Sequence, residues 1–84
     1  MVVRGLVQGV GFRWACVRAA ERLGVAGRVR NLPSGEVEIV VEGEPDDVDR
    51  LVAWARRGPA EARVDQVEVT DEPPEGLAGF RVAG

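Results

Sequence analysis

Residues 36–42 alternate Val37, Ile39 and Val41 with Glu36, Glu38 and Glu42, the two-residue period of a strand with one buried face and one mostly wet face. Residues 25–31 precede it with Val25, Val29 and Asn31 on one parity and Arg28 and Arg30 on the other. Between them, Leu32-Pro33-Ser34-Gly35 places Pro and Gly where a type I turn wants them. The two segments therefore form a hairpin. Residues 2–7 are a short apolar run that reads as an earlier strand, and residues 62–70, with Val64, Val67 and Val69, as a later one.

A different period separates these strands. Phe12, Ala15, Cys16, Ala19, Ala20 and Leu23 recur at helical spacing, with Arg18, Glu21 and Arg22 elsewhere around the wheel and Gly24 as the stop. A second helix follows the break at residues 43–46. Asp46, Asp47 and Asp49 occupy its first turn, Val48, Leu51, Val52 and Ala55 form its stripe, and Arg56 and Arg57 close it before Gly58-Pro59. Residues 71–79, with Pro73-Pro74 and two glycines, read as an exposed connection to a last short strand at residues 80–82. The order is βαββαβ plus a short fifth strand, which predicts an α+β, ferredoxin-like plan with two helices on one face of an antiparallel sheet.

With 84 residues the chain is expected to form one domain spanning 1–84, at a size that buries roughly 60–70% of its unfolded surface. No apolar run is long enough to span a bilayer and no basic leader precedes an apolar stretch, so the expected location is cytoplasmic, and a monomer is the default at this size. Cys16 is the sole cysteine and there is no histidine, which leaves a zinc or iron site without its usual ligands. The net charge is −3 with no basic run, so a nucleic-acid partner lacks its electrostatic footprint. All 11 basic residues are arginine. A phosphate site in this chain thus depends on Arg and backbone N–H groups.

The segment Gly5-Leu6-Val7-Gln8-Gly9-Val10-Gly11-Phe12-Arg13 joins the first strand to the first helix through a Gly-x-Gly turn. The glycines allow a sharp turn and close approach of a ligand to the backbone. Successive N–H groups of Gln8, Gly9, Val10, Gly11 and Phe12 can then point inward, and the helix start adds unpaired first-turn N–H groups and the positive end of its dipole. Arg13 brings a planar fork able to hold two phosphate oxygens. In this topology the first and second strands are parallel to each other with the third between them, so their C-terminal ends share one sheet edge. Asn31 then arrives about 10 Å from the loop, two strand spacings away, and on the helix-covered face.

This nine-residue string resembles the acylphosphatase signature. The Gly27-Arg28-Val29-Arg30-Asn31 segment, the Gly35-Glu36-Val37-Glu38 strand, Gly58-Pro59 and the terminal Gly79-Phe80-Arg81-Val82 match the same family in order and spacing. The resemblance covers essentially the whole chain. It implies that Arg13 binds the phosphate of an acyl phosphate, that Asn31 orients the attacking water, and that no metal or cofactor takes part.

The residues agree with so spare a site. There is no His or Tyr and Cys16 lies on the predicted core stripe, so the usual nucleophile and base pairs are missing. An acyl phosphate needs neither, because its leaving carboxylate has a pKa of roughly 4 to 5 and departs without a proton donor. The expected activity is hydrolysis of acyl phosphates to carboxylate and inorganic phosphate. The alternative is a non-catalytic, acylphosphatase-like anion-binding or accessory module, as at the N-terminus of larger hydrogenase-maturation carbamoyltransferases. An RNA-binding role for the fold is opposed by the 36–42 strand, which has acidic residues and no stacking aromatic. The Gln8 side chain has no role that the sequence supplies. Trp14 falls off the main stripe, and Trp54 reads as packing or partial surface.

Overall fold

In the computed structural model, which describes residues 1–83, the elements are β1 (Val2–Leu6), α1 (Phe12–Leu23), β2 (Ala26–Asn31), β3 (Val37–Glu42), α2 (Pro45–Arg57), β4 (Arg63–Glu68) and β5 (Phe80–Val82). The strands lie in the order β4-β1-β3-β2-β5. β3 runs antiparallel to both β1 and β2, and β4 is antiparallel to β1. The four long strands thus meet the antiparallel expectation. β5 instead pairs parallel with β2 through Gly27↔Phe80 and Val29↔Val82, which makes the sheet mixed. A chain that leaves β4 at the far edge and crosses to the side of β2 arrives with the direction of β2.

One face of the sheet carries Val3, Val29, Val37, Ile39 and Val67, which form a single buried cluster with Cys16, Ala20, Leu51 and Ala55 from the helices. Both helices lie on this face. Phe12 and Trp54 join them, with ring centroids 5.2 Å apart and planes tilted by 57°, within the favourable range for an aromatic pair. The opposite face is a lattice of surface charges: Arg4 pairs with Glu36 and, at 3.7 Å, with Glu68, while Arg30 meets Glu38 at 2.8 Å. Arg28 pairs with Glu75 of the connection at 3.1 Å rather than with a strand carboxylate. Exposed pairs of this kind contribute about 0–1 kcal/mol each.

The helix α1 ends as its sequence implies. Gly24 takes the left-handed conformation at φ 72°, its N–H donates to Glu21 O, and that of Val25 donates to Ala20 O, both at 3.2 Å. Its buried stripe includes Val17, which the spacing argument passed over, whereas Ala15 and Leu23 are only half-buried. In α2 only Leu51 and Ala55 are fully buried, with Val48 and Val52 half-exposed at its rim.

The predicted strand 62–70 is shorter than expected, and Val69 is 48% exposed. Its inward residues Val64 and Val67 are three apart, which breaks the period of a regular strand. A bulge resolves this: Arg4 faces Gln66 while Gly5 faces Val64, leaving Asp65 as the extra residue. Gly5 is required there, because a Cβ at this position would sit 2.1 Å from Arg63 O. No helix among the described residues is long and apolar enough to cross a membrane.

Candidate active site

The connection between β1 and α1 turns at Gly9 and Gly11, both in the left-handed region with φ of 75° and 76°. Nothing lies within 4 Å of a Cβ built on either one. The constraint at these positions is therefore backbone conformation, and the space beside the loop stays open. Gly11 also starts the helix, its carbonyl accepting from Ala15 N–H at 3.1 Å.

What surrounds that helix start differs between the two helices. α2 follows the usual pattern, with Pro45 in its first turn and Asp46 and Asp47 beside its positive end. Neither helix has a side-chain cap, but α1 also has no acidic residue in its first turn. Its first-turn N–H groups and dipole are left uncompensated by the protein, the condition under which a helix N-terminus receives an external anion.

Each predicted loop residue can be placed. Val7 is buried at the end of β1 and anchors the loop from below. Val10 is half-buried against the core, and the Phe12 ring is buried in it, so these two offer only their backbone to a ligand. Gly9 and Gly11 are exposed. Arg13 stands in the first turn of α1, half-buried, and pairs with no carboxylate among the described residues. Its neighbour Trp14 is 61% exposed and points away from the core.

Asn31 is the last residue of β2, opposite Val37 of β3, and shares the helix-covered face with Val29. Its Oδ1 is shielded from solvent yet has no hydrogen-bond partner among the described residues. A shielded acceptor of this kind is costly unless a donor reaches it.

The loop and the end of β2 are joined directly. Gln8 Nε2 donates to Leu32 O at 2.8 Å and to Glu36 O at 2.9 Å, tying the first residue of the loop to the turn that follows Asn31. This contact escaped sequence reasoning, because both acceptors are backbone carbonyls that any residue type would supply. The only available sign was an amide with two N–H donors immediately before the Gly-x-Gly turn. The sequence expectation that loop and Asn31 converge on one sheet edge thus corresponds to a specific bonded junction.

Cys16 is fully enclosed in the core, where burial pushes its thiol up to about 12. It is no nucleophile in this state. A groove of about 220 Å³ lies at the other end of the sheet, between the end of β3, Val48 and Val52 of α2, and residues 69–75. None of the loop residues 8–13, nor Asn31, lines it.

A ferredoxin-like sheet with two helices on one face and an open, glycine-turned loop at the start of α1 defines a small α+β protein. The acylphosphatase family model matches residues 1–82, and the chain belongs to that family. An acylphosphatase from Thermococcus kodakarensis is 58% identical over 82 residues, covering 98% of this chain and 90% of that relative. The crystal structure of acylphosphatase from Bacillus subtilis superposes with a TM-score of 0.94 at 33% identity, over 99% of this chain and 93% of the other. Full-length HypF, crystallised in a phosphate- and nucleotide-bound form, matches 99% of this chain with a TM-score of 0.90 and 29% identity, but over only 11% of its own length. The same fold therefore occurs both nearly alone and as a small part of a much longer protein.

Proposed function

We propose that the protein hydrolyses the carboxyl-phosphate bond of small acyl phosphates, with Arg13 and the N–H groups of residues 8–12 holding the phosphoryl group and Asn31 orienting the water. The observation that carries this reading is the junction at one sheet edge. The Gln8 amide ties the loop to the residue after Asn31, and Asn31 Oδ1 has no partner among the described residues. The loop leads into a helix start without a side-chain cap and to Arg13, which pairs with no carboxylate among the described residues. Relatives covered over most of their length are named acylphosphatases, which favours the catalytic reading over that of an accessory module.

The chemistry follows from these groups. The guanidinium fork and the loop N–H groups bind the non-bridging phosphoryl oxygens and stabilise charge that shifts onto them as the bond to the leaving group lengthens. Asn31 Oδ1 accepts one hydrogen of the water and aims its lone pair at phosphorus, in line with the departing carboxylate. The water oxygen forms the new P–O bond, and the carboxylate takes the electron pair of the broken one. One water proton passes to a phosphate oxygen. The carboxylate leaves ionised, so the site has no need of a general acid.

This division of labour predicts selectivity by leaving group. Benzoyl phosphate should be turned over, inorganic phosphate should compete with it, and an alkyl monoester such as glycerol phosphate should be turned over orders of magnitude more slowly. Comparable turnover of the monoester would refute a site built only on positioning. A monomer in the cytoplasm, acting on a freely diffusing small substrate, completes the reading.

A further inference from the structure

The Gln8 side chain is a polar group at the junction that neither the cradle nor the water uses. Its amide spans from the first loop residue to both ends of the hairpin turn, donating to Leu32 O at 2.8 Å and Glu36 O at 2.9 Å. Those two carbonyls already close the turn themselves. Leu32 N–H donates to Glu36 O at 2.8 Å and Gly35 N–H to Leu32 O at 3.1 Å. The Gln8 amide thus adds a second donor to each carbonyl, reaching in from the phosphate loop.

The turn is pinned independently on its other side. The Glu36 carboxylate accepts from Ser34 Oγ at 2.7 Å and pairs with Arg4 of β1. Ser34 and Arg4 together hold that carboxyl below the ordinary carboxylate range. With Arg4 fixing the turn to the sheet, the hairpin keeps its place without Gln8. Among the described residues, Gln8 supplies the side-chain hydrogen bonds that tie the loop to the hairpin turn, and hence the phosphoryl group to Asn31.

We infer that Gln8 is a positioning residue, whose side-chain amide sets Asn31 at the end of β2 against the phosphate loop so that the oriented water lies in line with the bound phosphorus. The inference rests on the site reading above. Misplacement of reacting groups by about 1 Å can cost on the order of 10² in rate, whereas Arg13 and the loop N–H groups still bind phosphate when the loop shifts as a unit.

The test uses Gln8→Met, which keeps the length and bulk of the side chain and removes both donors. The parameters measured are kcat for benzoyl phosphate, the inhibition constant of inorganic phosphate and the urea midpoint, in the wild-type and Asn31→Ala backgrounds. Gln8→Met is expected to lower kcat by about 10- to 100-fold, leave phosphate inhibition within about twofold, and lower Asn31→Ala no further. Non-additivity of this kind is the mark of two groups acting as one unit. Unchanged kcat would overturn the inference. So would a full additional loss in the Asn31→Ala background, or a parallel weakening of phosphate inhibition, since either places Gln8 outside the positioning of Asn31. Wild-type activity in Asn31→Ala alone would instead overturn the site reading, and is read from a different variant.

Discussion

Asn31→Ala separates catalytic work from structural work at one position. The backbone of Asn31 pairs with Val37 in the β2–β3 ladder and the substitution leaves that pairing in place. Its Oδ1 has no partner among the described residues, so truncation sacrifices no side-chain hydrogen bond to Oδ1 within them. Asn and Ala are both poor strand formers, which makes the propensity change small. The stability change should therefore stay within about 1 kcal/mol, a shift in Tm of less than about 4–8 °C for a protein this small. Catalysis should respond quite differently. Loss of one preorganised group at a reacting centre costs about 2.7–4 kcal/mol, or roughly 10²–10³ in kcat. The assay is benzoyl phosphate hydrolysis followed by ultraviolet absorbance, with urea unfolding on the same preparation. Asn31→Asp is the companion variant: it keeps the shape and places a negative charge beside the phosphoryl oxygens, so it should lose turnover and also raise KM. Activity within threefold of wild type in Asn31→Ala would refute the water-orienting role. A stability loss above about 3 kcal/mol would show that Asn31 holds the fold instead.

Three further outcomes are expected. Gly11→Ala forces an L-residue into the left-handed conformation at φ 76° without any steric contact, so it should cost about 1–2 kcal/mol, visible as a lower urea midpoint; an unchanged midpoint would contradict the loop geometry. The Glu42 carboxylate accepts from the backbone N–H groups of Glu75, Gly76 at 3.1 Å and Leu77 at 3.0 Å, and these bonds, that of Glu75 first, lower its pKa from 4.5. A carboxyl depressed in the folded state stabilises above its unfolded pKa and loses that contribution as pH falls through the folded value. The Tm difference between wild type and Glu42→Gln should thus be present at pH 7 and shrink only as pH falls below the ordinary carboxylate range, and a difference independent of pH would exclude the carboxylate as the anchor of residues 75–77. Finally, Cys16, whose thiol is pushed up to about 12 by burial, should resist an aromatic disulfide reagent at pH 8 in the native state and react at once in guanidinium; rapid native labelling would show the core to be open at α1.

The elements were legible where one physical rule governed many residues. The alternation in residues 36–42, broken only at Val40, the turn chemistry of 32–35 and the glycine stop at 24 each correspond to an observed boundary within a residue or so. β4 was less legible because its geometry is set by its partner. The bulge at Asp65 exists where Gly5 lets β1 and β4 approach closely, and within 62–70 only the three-residue spacing of Val64 and Val67 hints at it. The parallel seating of β5 on β2 likewise depends on where the long connection lands, and the Glu42 carboxylate holds the backbone of residues 75–77 on that path. At the site, the loop glycines and Arg13 were readable from their types. The side chain of Gln8 was not, since its partners are carbonyls 24 and 28 residues away that carry no mark of their own in the sequence.

The measurement that tests the central claim most directly is hydrolysis of benzoyl phosphate by the wild type and by Arg13→Ala, each shown to be folded and each assayed in excess EDTA. Arg13 makes no ion pair among the described residues, so its removal should leave the fold intact. The account predicts turnover by the wild type that survives the chelator and falls by on the order of 10² or more in Arg13→Ala, with inhibition by inorganic phosphate lost in parallel. Wild-type turnover retained by the folded variant, or no turnover by the folded wild type, would contradict it.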